Sequence, residues 1–419
     1  MSSSRAPNAP IQVGIFYHAD PLGHVPGGID SFIRGLIQCA PEDISYTLVG
    51  ASSDVAARPV GREIQLELGS SPARFVPVMS LGGSSARQSR IPHTVQYILG
   101  LRRIMRLPIV SRLQVLDFHR IEPVLLFRSD PRPMNVFMHN DMAVTRDKAT
   151  DMRWRHAPWL YDRMEGWLLR RVERVLAVRQ TAVERYRNSF PEMAAKFTFT
   201  PTSVDTSLFQ PASESALPGL RVALRQRLGW NDGARLLVFV GRLDSQKDPL
   251  LLLRAFANTV QRHPEAQLVF IGDGQLRGAL ESLISELGLT NRTRLLGALP
   301  RAEIAAILRA SDLFVLSSAY EGMPIAVLEA LCSGVPVVST KVGEIPMAVR
   351  DGVNGYLATE RTAEAICAAL TTALENLSTI RGTPCTLSVK PYHPEQVYGA
   401  IYDHHRAQAH RQSMGELPS

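Results

Sequence analysis

Two carboxylates, two cations and two histidines in this sequence have types and spacings suited to handling a phosphorylated polyol. Glu321 and Glu329 flank the start of an apolar helix within LFVLSSAYEGMPIAVLEALCSGVPVVS, residues 313–339. Leu313–Leu316 reads as a buried strand. Pro324 suits a first helical turn, Ile325, Leu328 and Cys332 recur at helical spacing, Gly334 closes the helix, and Val335–Val338 is the next strand. A helix N-terminus carries partial positive charge and unbonded N–H groups, which makes it an anion site. Carboxylates beside a bound phosphate would repel it unless they face hydroxyls, and a phosphate on a polyol, such as a nucleotide sugar, reconciles the two. The same spacing also fits Glu321 as a helix cap with Glu329 in solvent.

The cations follow an earlier strand, Leu236–Val240. Arg242 succeeds Gly241, and Lys247 lies five residues further on. Two cations converging from one strand-to-helix loop can neutralise a diphosphate and hold a departing phosphate as its charge grows; a solvated pair is the plain alternative. Asn135–Met138 ends at His139, Asn140 and Asp141, while Leu113–Phe118 ends at His119, Arg120 and Glu122. Polar groups at the carboxyl ends of parallel strands lie where open α/β sheets bind ligands. Pro26-Gly27-Gly28, between the strand Ile11–Tyr17 and a helix from about Asp30, lets backbone N–H groups approach a ligand closely, or simply makes a tight turn. Gly272-x-Gly274-x-x-x-Gly278 departs from the GxGxxG spacing and has no following acidic residue at a strand end, so it is a weak dinucleotide signal.

Strands and helices alternate twice along the chain, which predicts two doubly wound α/β domains facing across a cleft. Its 419 residues also exceed one ordinary core. The small-residue stretch ASESALPG, 212–219, reads as the linker, giving a first domain over 1–210, a second over 211–390 and a terminal helical segment over 391–419. A hydrophobic fraction of 45% excludes a disordered chain, and a net charge of +7 favours anionic partners. Arg87, Arg90, Arg102, Arg103, Arg106 and Arg112 alternate with apolar residues and no acid, like an amphipathic helix that lies on anionic lipid or grips an acidic ligand. A solvated helix face is the other reading of that segment. Four cysteines without metal spacing point to a reducing cytoplasm. The polar N-terminus is not a signal peptide, and no apolar run reaches a membrane span, so a soluble or peripheral protein is expected.

VGRLDSQKD, FIGDGQLRGAL, LLGALP, the stretch from Asp312 to Thr340 and DGVNGYL, in that order, resemble the retaining GT-B glycosyltransferases of glycosyltransferase family 4. EGMPIAVLE matches that family's E-x7-E signature, PGGIDSFIRGL its glycine loop and SVDTSLF its NGVD-type segment. The resemblance implies that Arg242 and Lys247 bind the donor diphosphate, with Gly28 approaching it from the other domain. It implies that Glu321, aided by Gly322, Met323 and Pro324, holds the transferred sugar, that Glu329 holds the ribose, and that Gly297, Leu299 and Pro300 border the base. His139 matches the family's active-site histidine; His119 is the lesser choice. The terminal helix is expected to cross back onto the first domain. The family transfers sugar with retention, without a metal or other cofactor, and this chain has no D-x-D pair.

The sequence departs from the family at Thr202-Ser203, where many members have Asn-Gly, and at Met347 after Gly343-Glu344. The resulting expectation is a cytoplasmic, metal-independent hexosyltransferase. It would use a nucleotide-sugar donor and a saccharide or lipid-linked acceptor, as in surface polysaccharide or glycolipid assembly. The basic segment extends the partners to an anionic membrane surface at the inner face of the cytoplasmic membrane. A nucleotide-sugar epimerase and a non-catalytic nucleotide-sugar-binding protein are the rival readings. A nucleic-acid partner is not expected, because it leaves the carboxylates and glycine loops unexplained.

Overall fold

The computed structural model describes residues 9–23, 28–68, 73–81, 92–105, 107–139 and 158–415. Asn140 and Asp141, together with Pro26, Gly27, Arg87, Arg90 and Arg106, lie outside them. The chain forms two compact units, Met1–Pro201 with Pro394–Ser419, and Thr202–His393.

Among the described residues the first unit has eight strands: β1 (Ile11–Phe16), β2 (Ile44–Ser52), β3 (Ile64–Leu66), β4 (Ala73–Ser80), β5 (Val115–Phe118), β6 (Met134–Met138), β7 (Arg174–Ala177) and β8 (Phe197–Phe199). Their order is β3-β4-β2-β1-β5-β6-β7-β8, parallel except for the β3–β4 pair. Near-continuous burial along β1, β2 and β5 matches the apolar runs of a sheet covered on both faces. The helix Pro394–Ser413 packs on β1, β5 and the helix Gly28–Gln38, burying Val397, Ile401 and His405. The chain's end thus returns to the first unit. Tyr46, Asp117 and His405 meet there: Tyr46 Oη lies 3.1 Å from His405 Nδ1, and His405 Nε2 lies 2.8 Å from Asp117 Oδ2.

The second unit has six parallel strands: β9 (Arg235–Val240), β10 (Ala266–Ile271), β11 (Thr293–Leu295), β12 (Leu313–Leu316), β13 (Val337–Thr340) and β14 (Gly355–Ala358), ordered β11-β10-β9-β12-β13-β14. Its core takes in Val204 and Phe209. The stretch 212–219 therefore lies inside this unit rather than between units, and the chain crosses at Pro201 and Thr202. Those two apolar side chains outweigh the loop-like composition around them.

The basic segment is not one long helix. A helix spans His93–Ile104 and a short turn Pro108–Ser111, with Pro108 restarting the chain. Arg102 and Arg103 are exposed together with Val95 and Leu99. Arg112 leaves this basic face, because its guanidinium binds Glu63 at 2.6–2.7 Å. No described helix is long and apolar enough to cross a membrane.

Candidate functional site

Among the parallel strands the order of each sheet reverses direction once, between β1 and β5 in the first unit and between β9 and β12 in the second. The loops leaving two such strands diverge and open a crevice at their carboxyl ends, the usual ligand position in open α/β sheets. In the second unit these loops are Gly241–Asp248 and Ser317–Pro324.

Lys247 and Glu321 meet across this point. Lys247 Nζ lies 2.5 Å from Glu321 Oε1, and Ser318 Oγ donates to the same oxygen at 2.6 Å. Both side chains are largely buried, and Ser317 Oγ donates to the carbonyls of Lys247 and Asp248, which holds the two loops together. Glu321 does not cap the following helix: Ile325–Cys332 begins after Pro324 with no side-chain cap. Glu329 is not solvated either, being only 7% exposed. The plain alternative for the carboxylates is thereby removed on both counts. Arg242 differs from Lys247, since its side chain is 70% exposed and bonds Asp244 at 3.0 Å and Gln246 at 3.1 Å.

Burial pushes the Glu329 carboxyl up from its ordinary value, and Arg301, 2.9 Å away, opposes that shift. Arg301 was missed in the sequence. It opens the helix Arg301–Ala310, where a cation faces the positive end of the helix dipole; that misfit is the signal of a nearby anion. Gly297 has φ +71° and its carbonyl accepts from Gly272 N–H at 2.8 Å; Leu299 packs on the core and Pro300 is the N-cap. Met323 is buried, while the Gly322 carbonyl accepts from Glu344 N–H at 2.9 Å.

The glycines at Gly272 and Gly274 answer to neighbouring backbone. A Cβ on Gly272 would come within 1.9 Å of the Gly241 carbonyl oxygen, and one on Gly274 within 2.4 Å of that of Leu243. Their spacing reflects loop packing whatever the ligand. Gly343 is under the same constraint, with φ +57° and a hypothetical Cβ 2.4 Å from the carbonyl oxygens of Glu321 and Gly322. Gly343→Ala should lower stability by at least about 1–2 kcal/mol from the left-handed backbone alone. It should also displace the 321–324 loop; chemical denaturation together with donor titration checks both effects.

In the first unit, His119 follows β5 and His139 follows β6. His119 is buried, and its Nδ1 lies 2.7 Å from His139 Nε2. Burial lowers the His139 imidazole to about 3 and holds His119 well below its ordinary value. Gly28 is exposed at the first position of the helix Gly28–Gln38. The six groups named at the start thus fall into two clusters, Lys247–Glu321 and His119–His139, with Glu329 beside Arg301 and Arg242 at the surface.

Structures of like fold are GT-B glycosyltransferases. Alr3699/HepE of Anabaena, solved in complex with UDP and glucose, has TM-score 0.68 and 18% identity over 93% of this chain and 98% of that one. Sucrose-phosphate synthase of Thermosynechococcus elongatus has TM-score 0.73 and 17% identity over 97% and 99%. The fold is GT-B. Residues 221–380 match the model of the family described as "Glycosyl transferases group 1". A D-inositol 3-phosphate glycosyltransferase of Segniliparus rotundus is 30% identical over 46% of this chain and 42% of that protein. One from Corynebacterium jeikeium is 35% identical over 38% of each. The chain thus matches about two fifths of the length of these curated relatives.

Proposed function

We propose that the protein is a retaining, metal-independent glycosyltransferase that moves a hexose from a nucleotide-sugar donor to a saccharide or lipid-linked acceptor, in surface polysaccharide or glycolipid biosynthesis. The observation that carries this reading is the Lys247–Glu321 pair at the β9/β12 reversal, directly before a helix N-terminus. An ammonium has three donors, so Lys247 can bind Glu321 and a phosphate oxygen together. Arg242 is a further diphosphate contact in this reading. Glu321 accepts from sugar hydroxyls, Glu329 from the ribose, and the loop Gly297–Pro300 borders the base.

In the transfer step the bond from the anomeric carbon to the diphosphate oxygen breaks. The acceptor oxygen bonds to that carbon on the same face, and its proton passes to the departing phosphate. Lys247 and Arg242 offset the charge that grows on the diphosphate, the kind of stabilisation that contributes most in such sites. Neither carboxylate has to act as a base. The absence of a D-x-D pair supports metal independence, and the exposed Val95, Leu99, Arg102 and Arg103 support an acceptor presented at an anionic lipid surface.

A thermal-shift screen against nucleotide sugars should yield one donor that raises the melting temperature, because only the folded protein binds it. With that donor, sugar transfer or slow donor hydrolysis should persist in chelator. Epimer formation in place of transfer would favour the epimerase reading. Binding with neither transfer nor hydrolysis would identify a binding protein, and activity restored only by Mn²⁺ would overturn metal independence.

A further inference from the structure

The contact between His119 and His139 limits what His139 can do. At 2.7 Å, His119 Nδ1 and His139 Nε2 cannot both present lone pairs, so one carries a proton that the other accepts. Burial, which depresses both imidazoles, disfavours a charged pair and leaves two neutral arrangements. If His139 donated from Nε2, the proton of His119 would sit on its own Nε2. That nitrogen is buried without a hydrogen-bond partner among the described residues. If His119 donates from Nδ1 instead, only a lone pair is left there. Buried N–H groups without acceptors are rarer than under-used acceptors, so the second arrangement is favoured. Neighbouring rings fix the geometry: Phe137 stacks on His119 at 4.5 Å and 2°, and Phe32 meets His139 edge-on at 5.4 Å and 71°.

We infer that His119 is a positioning residue: by donating from Nδ1 to His139 Nε2 it holds His139 as its Nδ1–H tautomer, so that His139 meets its ligand only as a hydrogen-bond donor. The ligand atom opposite Nδ1 is then an oxygen acceptor, from a sugar hydroxyl or a phosphate. His139 in this state has no lone pair on Nδ1 and cannot take the acceptor's proton there. The effect on turnover rests on the proposed transferase function; the tautomer does not.

Histidine-selective ¹⁵N spectra of the full chain near neutral pH test the assignment, with His139→Gln identifying the resonances. The expected wild-type pattern is a protonated Nδ1 and an unprotonated Nε2 on His139. In His119→Phe, which keeps a ring against Phe137 but has no donor, that pattern should be lost. Its kcat/KM with the donor found above should fall roughly tenfold to a hundredfold, as when a hydrogen-bond partner behind a working histidine is removed. His119→Asn, whose amide N–H can replace the Nδ1 donor, should restore the pattern and most of the rate. A protonated Nε2 on wild-type His139 would overturn the inference, as would Asn and Phe variants that lose rate alike. Unchanged turnover in His119→Phe alongside a changed tautomer would overturn the role assigned to it. A wild-type protein inactive with every donor would instead refute the transferase reading and leave the spectra to decide the tautomer.

Discussion

Lys247→Ala should lower kcat/KM for sugar transfer by about a hundredfold to a thousandfold, the range for losing one charge-stabilising donor at a reacting group. The same change should also destabilise the protein. It leaves Glu321, 5% exposed, without its ammonium partner and with Ser318 as its remaining side-chain donor. Removing one member of a buried ion pair typically costs about 3–5 kcal/mol, and the residual exposure of Lys247 puts the expected loss near the lower figure. A double-mutant cycle separates the two effects. Lys247→Ala with Glu321→Ala removes the unpaired charge and should regain much of the stability while activity stays absent. Arg242→Ala should behave differently, because its guanidinium is 70% exposed and its partner Asp244 still accepts from the Lys247 N–H: stability should fall little while the KM for donor rises. Full turnover in both Lys247→Ala and Arg242→Ala would remove the phosphate assignment.

Acidification should unfold the first unit before the second. His18 is lowered to about 4, and His139 and His404 to about 3, with burial as the leading cause for each; for His18 the Arg120 charge adds to it, and for His404 that of Arg174. All three lie in the first unit. Each is neutral when folded but takes up a proton on unfolding once the pH is below about 6.5. Their contribution to stability is therefore intact above that pH and is lost progressively as pH falls towards the folded values. At about pH 5 each group should cost roughly 2 kcal/mol, on the order of 6 kcal/mol together, against the ~5–15 kcal/mol that holds a typical domain folded. Hydrogen exchange at about pH 7.5 and about pH 5 checks this: amides of β1, β5, β6 and the helix Pro394–Ser413 should lose protection ahead of those of β9–β13. Equal loss in both units would contradict the assignment of the effect to these histidines.

The sequence alone determined most of the second unit, because its strands are short apolar runs, β9 and β10 closed by glycine, and its helices show regular apolar spacing. Those are local properties. The alternation of strand and helix was enough to predict two parallel sheets, and the ordered motifs around EGMPIAVLE to indicate GT-B. The limits of the units were harder to read, since 202–211 looks like a loop and joins the second core only through Val204 and Phe209. The basic segment misled for a similar reason: arginines alternate with apolar residues as far as Arg112, but Pro108 and the long-range Arg112–Glu63 pair end the basic face.

Pairings decided by strand order could not be read from the chain. Lys247 and Glu321 are 74 residues apart, and they meet because β12 inserts beside β9. Adjacent placement of β5 and β6 likewise brings His119 to His139, and the fold carries Arg301 to Glu329. Local patterning gave each of these residues a chemical type and a place at a strand or helix end. Only the order of strands across the two sheets, a consequence of how the cores are buried, determined which charge and which hydrogen bond each one meets.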